Sequence, residues 1–230
     1  MIVAAISNGL LTLVVFGGAL IIALLTGANL RRTREDRSWG LQELAVELKF
    51  DEFNPNRDEG FAMGWGFLSR LDQGEDRYAF NILRGKYHEQ ALFVFDYHFR
   101  TGSDRSKVDH NLTMLMLVVK EAFPKLTIGS EGIGAKIATA FGVENDIKFE
   151  SAEFSRIFCV RSPDKKFAYD VCNAQMMEYL LANRDLSIEI ENEVIALAFN
   201  TRIAAEQIEA DLQRLIEIRA RLPQYLFTNT

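Results

Sequence analysis

The chain has 230 residues, 48% of them hydrophobic and 25% charged, with a formal net charge of −6. That length suits a leader plus one large domain or two small lobes, and the composition excludes an intrinsically disordered chain. The only cysteines, Cys159 and Cys172, follow no zinc-like spacing and are too few for a disulfide framework, which fits a reducing compartment.

From Met1 to Leu30 there is no charged side chain, and Leu10 to Leu25 (LLTLVVFGGALIIALL) is almost wholly apolar. A bilayer core about 30 Å thick takes about 20 helical residues, so residues 1–30 are expected to form a transmembrane anchor. Arg31, Arg32, Arg34 and Arg37 follow at once, making residues 31–37 a basic juxtamembrane linker. An excess of Lys and Arg marks the cytoplasmic flank of a span. The expected topology is therefore single-pass in the cell inner membrane, with the N-terminus outside and the domain cytoplasmic. A cleaved signal peptide is the rival reading, because Thr26 and Ala28 are small enough for a cleavage site. Such peptides carry their positive charge before the apolar run, whereas this chain carries it after.

Residues 38–230 read as one globular α+β domain with mostly antiparallel pairing, and a sub-lobe boundary is conceivable near residues 129–142. Ser38 is placed to cap a helix whose Leu41, Leu44, Ala45 and Leu48 share one face. Asp51 to Gly60 (DEFNPNRDEG) is a polar loop, and Phe61 to Leu71 a short aromatic helix or irregular segment. Tyr78 to Tyr87 and Ala91 to Arg100 pattern as a hairpin joined by His88, Glu89 and Gln90, with Gly85 as a candidate bulge. Phe93, Phe95, Tyr97 and Phe99 are assigned to the core face of the second strand, Asp96, His98 and Arg100 to a solvated face.

Asn111 to Val119 is apolar on both faces and suits a central strand, with Leu126 to Ile128 a further short one. A short helix is expected from Gly132 to Phe141, then strands at Asp146 to Phe149 and Phe154 to Arg161. Lys165 to Leu181 has the spacing of one helix, with Cys172 on its apolar stripe. Leu186 to Ile190 and Val194 to Phe199 pattern as a second hairpin, turning at Glu191, Asn192 and Glu193. A last helix from Arg202 to Leu222 carries Ile208, Leu212 and Leu215 on one face and stops at Pro223.

No constellation reads as a catalytic, cofactor or metal site. Asp96 and His98 project to one face, with His110 a candidate on the neighbouring strand, but a metal needs three or four converging ligands. Gly129, Gly132 and Gly134 (GSEGIG) lack the spacing of a dinucleotide fingerprint, and Glu131 repels phosphate, so a turn is preferred. Cys172 has no histidine after His110 to activate it and reads as core packing. Glu189 with Glu191 is a carboxylate pair of the kind chance supplies among 32 acids.

The four arginines less the two acids of the linker carry +2, so the rest of the chain stands near −8. An acidic domain without a basic stripe lacks the footprint that phosphate-backbone binding requires, so nucleic acid is not an expected partner. The lipid bilayer and a protein are.

The segments NILRG at Asn81, FDYHFRTG at Phe95, DIKFE at Asp146 and FSRIFCVRSPDKKFA at Phe154, behind a leader, an Arg-rich flank and Trp39, resemble a family of bacterial single-pass membrane proteins. The resemblance spans most of Trp39 to Leu222 and implies a membrane-held domain with no assigned activity. The functional expectation is a membrane-anchored cytoplasmic binding or interaction domain. The alternative is a tethered enzyme whose site assembles from scattered residues.

Overall fold

The computed structural model describes residues 35–103, 106–130 and 146–227. The chain divides into two units, Met1–Gly40 and Leu41–Thr230; of the first, only residues 35–40 fall among those described. The expected anchor, the linker up to residue 34 and the helix from Gly132 to Phe141 lie outside them. Among the described residues no helix is long and apolar enough to cross a membrane.

The fold is α+β, with helices packed on an antiparallel sheet. Helix α1 covers residues 35–47, so Ser38 lies inside it instead of capping it. Strand β1 (Glu52–Asn54) and helix α2 (Glu59–Gly64) lead into β2 (Glu75–Tyr87), β3 (Gln90–Thr101) and β4 (Val108–Ser130). Then come α3 (Ala152–Ile157), β5 (Phe158–Arg161), α4 (Lys165–Val171), α5 (Ala174–Ala182), β6 (Ile188–Ala198) and α6 (Ala205–Arg221). The described strands form one six-stranded sheet in the order β1-β2-β3-β4-β5, with β6 also paired to β4.

The 23-residue β4 organises this sheet. It joins the two strands expected at Asn111 to Val119 and Leu126 to Ile128, and β6 likewise runs straight through the turn expected at Glu191 to Glu193. Asn192 takes φ 49° and opposes Phe123 between two register shifts, so its left-handed conformation makes a bulge and not a reversal. Pro124 sits at the same irregularity, where its missing N–H spoils no regular ladder.

The hairpin β2–β3 forms as expected, with His88 and Glu89 both at positive φ in its turn. Its register shifts lie between Glu75 and Tyr78 and between Phe80 and Leu83, where Asp76 and Asn81 each take φ 51°, and not at Gly85. Gly85 pairs regularly with Leu92; a Cβ there would meet Phe50 Cδ1 at 2.7 Å and Phe50 Cα at 2.8 Å. Two further expectations fail at side-chain caps. Ser151 accepts from the Phe154 N–H and starts α3 where a strand from Phe154 was expected. Asn173 accepts from the Met176 N–H and begins α5, splitting the helix expected from Lys165 to Leu181 at Cys172. Asp146 makes only an isolated bridge to Arg161.

Both faces of the sheet are covered. One packs Leu92, Val94, Leu115 and Leu117 against α1, α5 and α6 through Leu41, Met176, Leu180, Ile208, Leu212 and Leu215. The other packs Phe95, Tyr97, Phe99, Met114 and Met116 against Ala62, Leu68 and Leu71. Asp96 and His98 are consequently buried, against the solvated face expected for them. Asp96 accepts from Asn81 Nδ2 at 3.0 Å and Thr113 Oγ1 at 2.9 Å, which makes its burial tolerable.

Candidate functional site

The segment after α2 shapes the most distinctive feature of the surface. Leu68 and Leu71 are sunk in the second core, and the turn they anchor is tied to the sheet by hydrogen bonds. Lys125 Nζ donates to the Phe67 carbonyl at 3.0 Å, and Tyr97 OH donates to the Leu71 carbonyl at 2.6 Å. Gly74 closes the turn at φ 65°, where a Cβ would stand 2.2 Å from the Arg100 carbonyl oxygen, so only glycine fits. Between this turn and the ends of β3 and β4 lies a cavity of about 600 Å³.

Its lining is mixed. Phe99 and Leu112 give it an apolar wall, and His110 stacks on Phe99 with ring centroids 4.6 Å apart and 13° between planes. Thr101 Oγ1 lies 2.7 Å from His110 Nε2. Ser69, Gln73 and Asn200 contribute neutral polar groups, and Asp72 a carboxylate that Arg77 Nη1 holds at 2.7 Å.

Arg70 also lines this cavity, although only 2% of it is exposed. Its Nε and Nη2 meet no acceptor, and neither does the Ser69 hydroxyl. Glu189 and Glu191 alternate onto one face of β6, just after Ser187. Glu189 Oε2 accepts from the Arg70 backbone N–H at 3.2 Å, whereas Oε1 has no partner. Burial pushes the Glu189 carboxyl above the ordinary range, opposed by the charges of Arg70 and Lys125. Burial likewise lowers the Arg70 guanidinium from its usual value, with Glu189 acting the other way. Lys125 Nζ stands 3.1 Å from Glu191 Oε2.

The residues weighed from the sequence are scattered. Asp96 and His98 share a face, but His98 Nδ1 lies 3.2 Å from Asn111 Oδ1 and its ring stacks on Tyr78. His110 projects from the opposite face, into the cavity wall. Among the described residues no group of three or more His, Cys, Asp or Glu is placed to hold a metal ion. Cys172 is buried in the first core, which pushes its thiol up out of the reactive range. Gly129 pairs with Cys159 in the sheet, while Glu131, Gly132 and Gly134 lie outside the described residues. Glu189, half of a carboxylate pair that chance supplies, is fully sequestered, and Arg70 belongs to no motif in the sequence. The available signal was an arginine enclosed by apolar neighbours in FLSRL.

No family model matches this chain, and no curated protein matches it. Among solved structures, the crystal structure of the mycobacterial trehalose monomycolate transport factor A, TtfA, is similar with a TM-score of 0.56. The two share 14% identity, and the match covers 81% of this chain and 96% of that chain. At that identity the likeness is one of fold.

Proposed function

We propose that this chain is a binding or interaction domain of a bacterial inner membrane, tethered by residues 1–30 with its N-terminus outside and its domain in the cytoplasm. The observation that carries the binding reading is the cavity of about 600 Å³, walled by Phe99 and Leu112 and furnished with polar groups from β3, β4 and the Ser69–Gly74 turn. Preformed pockets of roughly 300–1,000 Å³ that combine apolar walls with a few polar groups are typical small-molecule sites. The uncharged run from Met1 to Leu30 and the arginines behind it support the anchor and its orientation. The acidic charge of the rest speaks against nucleic acid. The structural neighbour is named as a transport factor, which is in keeping with recognition without chemistry on this fold.

The Thr101–His110 pair at 2.7 Å in the cavity wall favours a second reading, a tethered enzyme with a hydroxyl nucleophile. Both readings are tested by incubating the detergent-solubilised full chain with pools of small polar metabolites and analysing it by native mass spectrometry. A ligand retained and recovered unchanged is the expected result. Recovery of a product whose formation needs Thr101 would establish the enzyme instead, and no retention from any pool would remove the cavity as support.

A further inference from the structure

Building on the binding reading, we propose that the cavity under the Ser69–Gly74 turn is a site for a small organic anion, a carboxylate or phosphate monoester, gripped by Arg70. Folded proteins rarely leave buried polar atoms without partners, because a group taken out of water without a new hydrogen bond loses its solvation uncompensated, most of all when it is charged. Arg70 is 2% exposed and lines the cavity, yet its Nε and Nη2 have no acceptor. Glu189, the counter-charge facing it among the described residues, spends Oε2 on the Arg70 backbone N–H. The bond thus ties Glu189 to the Arg70 main chain, while Nε and Nη2 of the guanidinium stay without an acceptor.

A planar fork of N–H donors matches the paired oxygens of a carboxylate or phosphate. Beside it, the Ser69 hydroxyl is also without a partner, and Gln73 and Asn200 offer neutral amides. Among the described residues Asp72 is the one acidic side chain in the lining; it is largely exposed and engaged by Arg77 at 2.7 Å. A volume of about 600 Å³ exceeds what an inorganic ion fills, and the stacked Phe99 and His110 rings offer a surface for a flat apolar body. The bound molecule therefore presents its anionic head to Arg70 and its body to Phe99 and Leu112.

The test uses the full chain in a neutral detergent, titrated calorimetrically with phenyl phosphate, benzoate, inorganic phosphate and, as the neutral counterpart, benzyl alcohol. Phenyl phosphate and benzoate are expected to bind at least tenfold more tightly than benzyl alcohol. Inorganic phosphate is expected to bind more weakly than phenyl phosphate; equal affinity would overturn the organic body and leave a bare ion site. Arg70→Lys, which keeps the charge and loses the fork, should weaken phenyl phosphate at least tenfold. Because substitution at a buried arginine can compromise folding, Asn200→Asp at the exposed rim supplies an independent reading. It should weaken both anions severalfold and leave benzyl alcohol unchanged. Benzyl alcohol binding as well as the anions, or anion affinity indifferent to Asn200→Asp, would overturn the anion site while leaving a binding domain standing. Release of phenol from phenyl phosphate would overturn the non-enzymatic reading instead.

Discussion

Glu189, fully sequestered on β6, accepts a hydrogen bond at 3.2 Å from the backbone N–H of Arg70, 119 positions earlier in the chain. The bond fastens the turn after α2 to the far edge of the sheet and puts a carboxylate behind the cavity. Its consequences for stability are measurable.

Burial raises the folded-state pKa of Glu189 above its ordinary value of 4.5. Below that value the carboxyl is protonated in both states and ionisation costs nothing. As pH climbs, the unfolded chain releases its proton first, so the stability associated with this group is lost until the folded pKa is passed. Glu189→Gln removes that dependence. Its stability relative to the parent should rise with pH by about 1.4 kcal/mol for each pH unit over which the two states differ in protonation. Urea denaturation from pH 4 upward checks this; a difference constant with pH would mean that Glu189 is ionised at no cost.

Phe95 is wholly buried and meets the Phe61 ring edge-on, with centroids 5.1 Å apart. Phe95→Ala should cost about 3–5 kcal/mol through the cavity it leaves. Asp96→Ala removes the acceptor of the Asn81 amide and of the Thr113 hydroxyl and should cost about 3 kcal/mol. His98, stacked on Tyr78 at 4.6 Å, should cost about 1–2 kcal/mol on replacement by Ala. Equilibrium unfolding ranks the three, and a neutral Asp96→Ala would contradict a sheet covered on both faces.

Gly85 lies under Phe50, whose Cα is 2.8 Å from where a Cβ would stand. Gly85→Ala should therefore destabilise by about 1–3 kcal/mol through overpacking. Trimming the ring as well, in Gly85→Ala with Phe50→Leu, should recover only part of that loss, because main-chain atoms of Phe50 and Asp51 also crowd the site. A thermal shift series decides it.

Asn192 holds φ 49° at the bulge of β6. Asn192→Gly should be neutral within about 0.5 kcal/mol, and Asn192→Val should cost about 1–2 kcal/mol, since a β-branched residue resists the left-handed region. Equal effects from the two would show that β6 does not need this conformation.

For the tether, a cysteine near the N-terminus should react with an impermeant thiol reagent in intact cells, and one at Asn56 should not, in a chain with Cys159 and Cys172 replaced by Ala. The opposite labelling would reverse the proposed orientation. Residues 38–230 alone should not sediment with anionic vesicles at physiological salt, because their acidic charge opposes the leaflet.

Local chemistry made much of the fold legible from the sequence alone. Period-two apolar alternation located β3, the hairpin pattern placed β2 beside it, a 3.6-residue stripe located α6, and Pro223 marked its end, because each signal acts over a few neighbouring residues. The class, α+β with antiparallel pairing, followed from their order. Long-range partners decided the rest. Asn192 and Pro124 look like punctuation in one dimension, yet they are absorbed as a bulge because β4 and β6 pair on both sides of it. Asp96 and His98 read as solvated because alternation reports that two faces differ, not whether a second layer covers the polar one. Arg70 and Glu189 carry no mutual signal across their separation. Only the packing of the Leu68–Leu71 turn onto the sheet brings them together, takes both out of water and opens the cavity beside them.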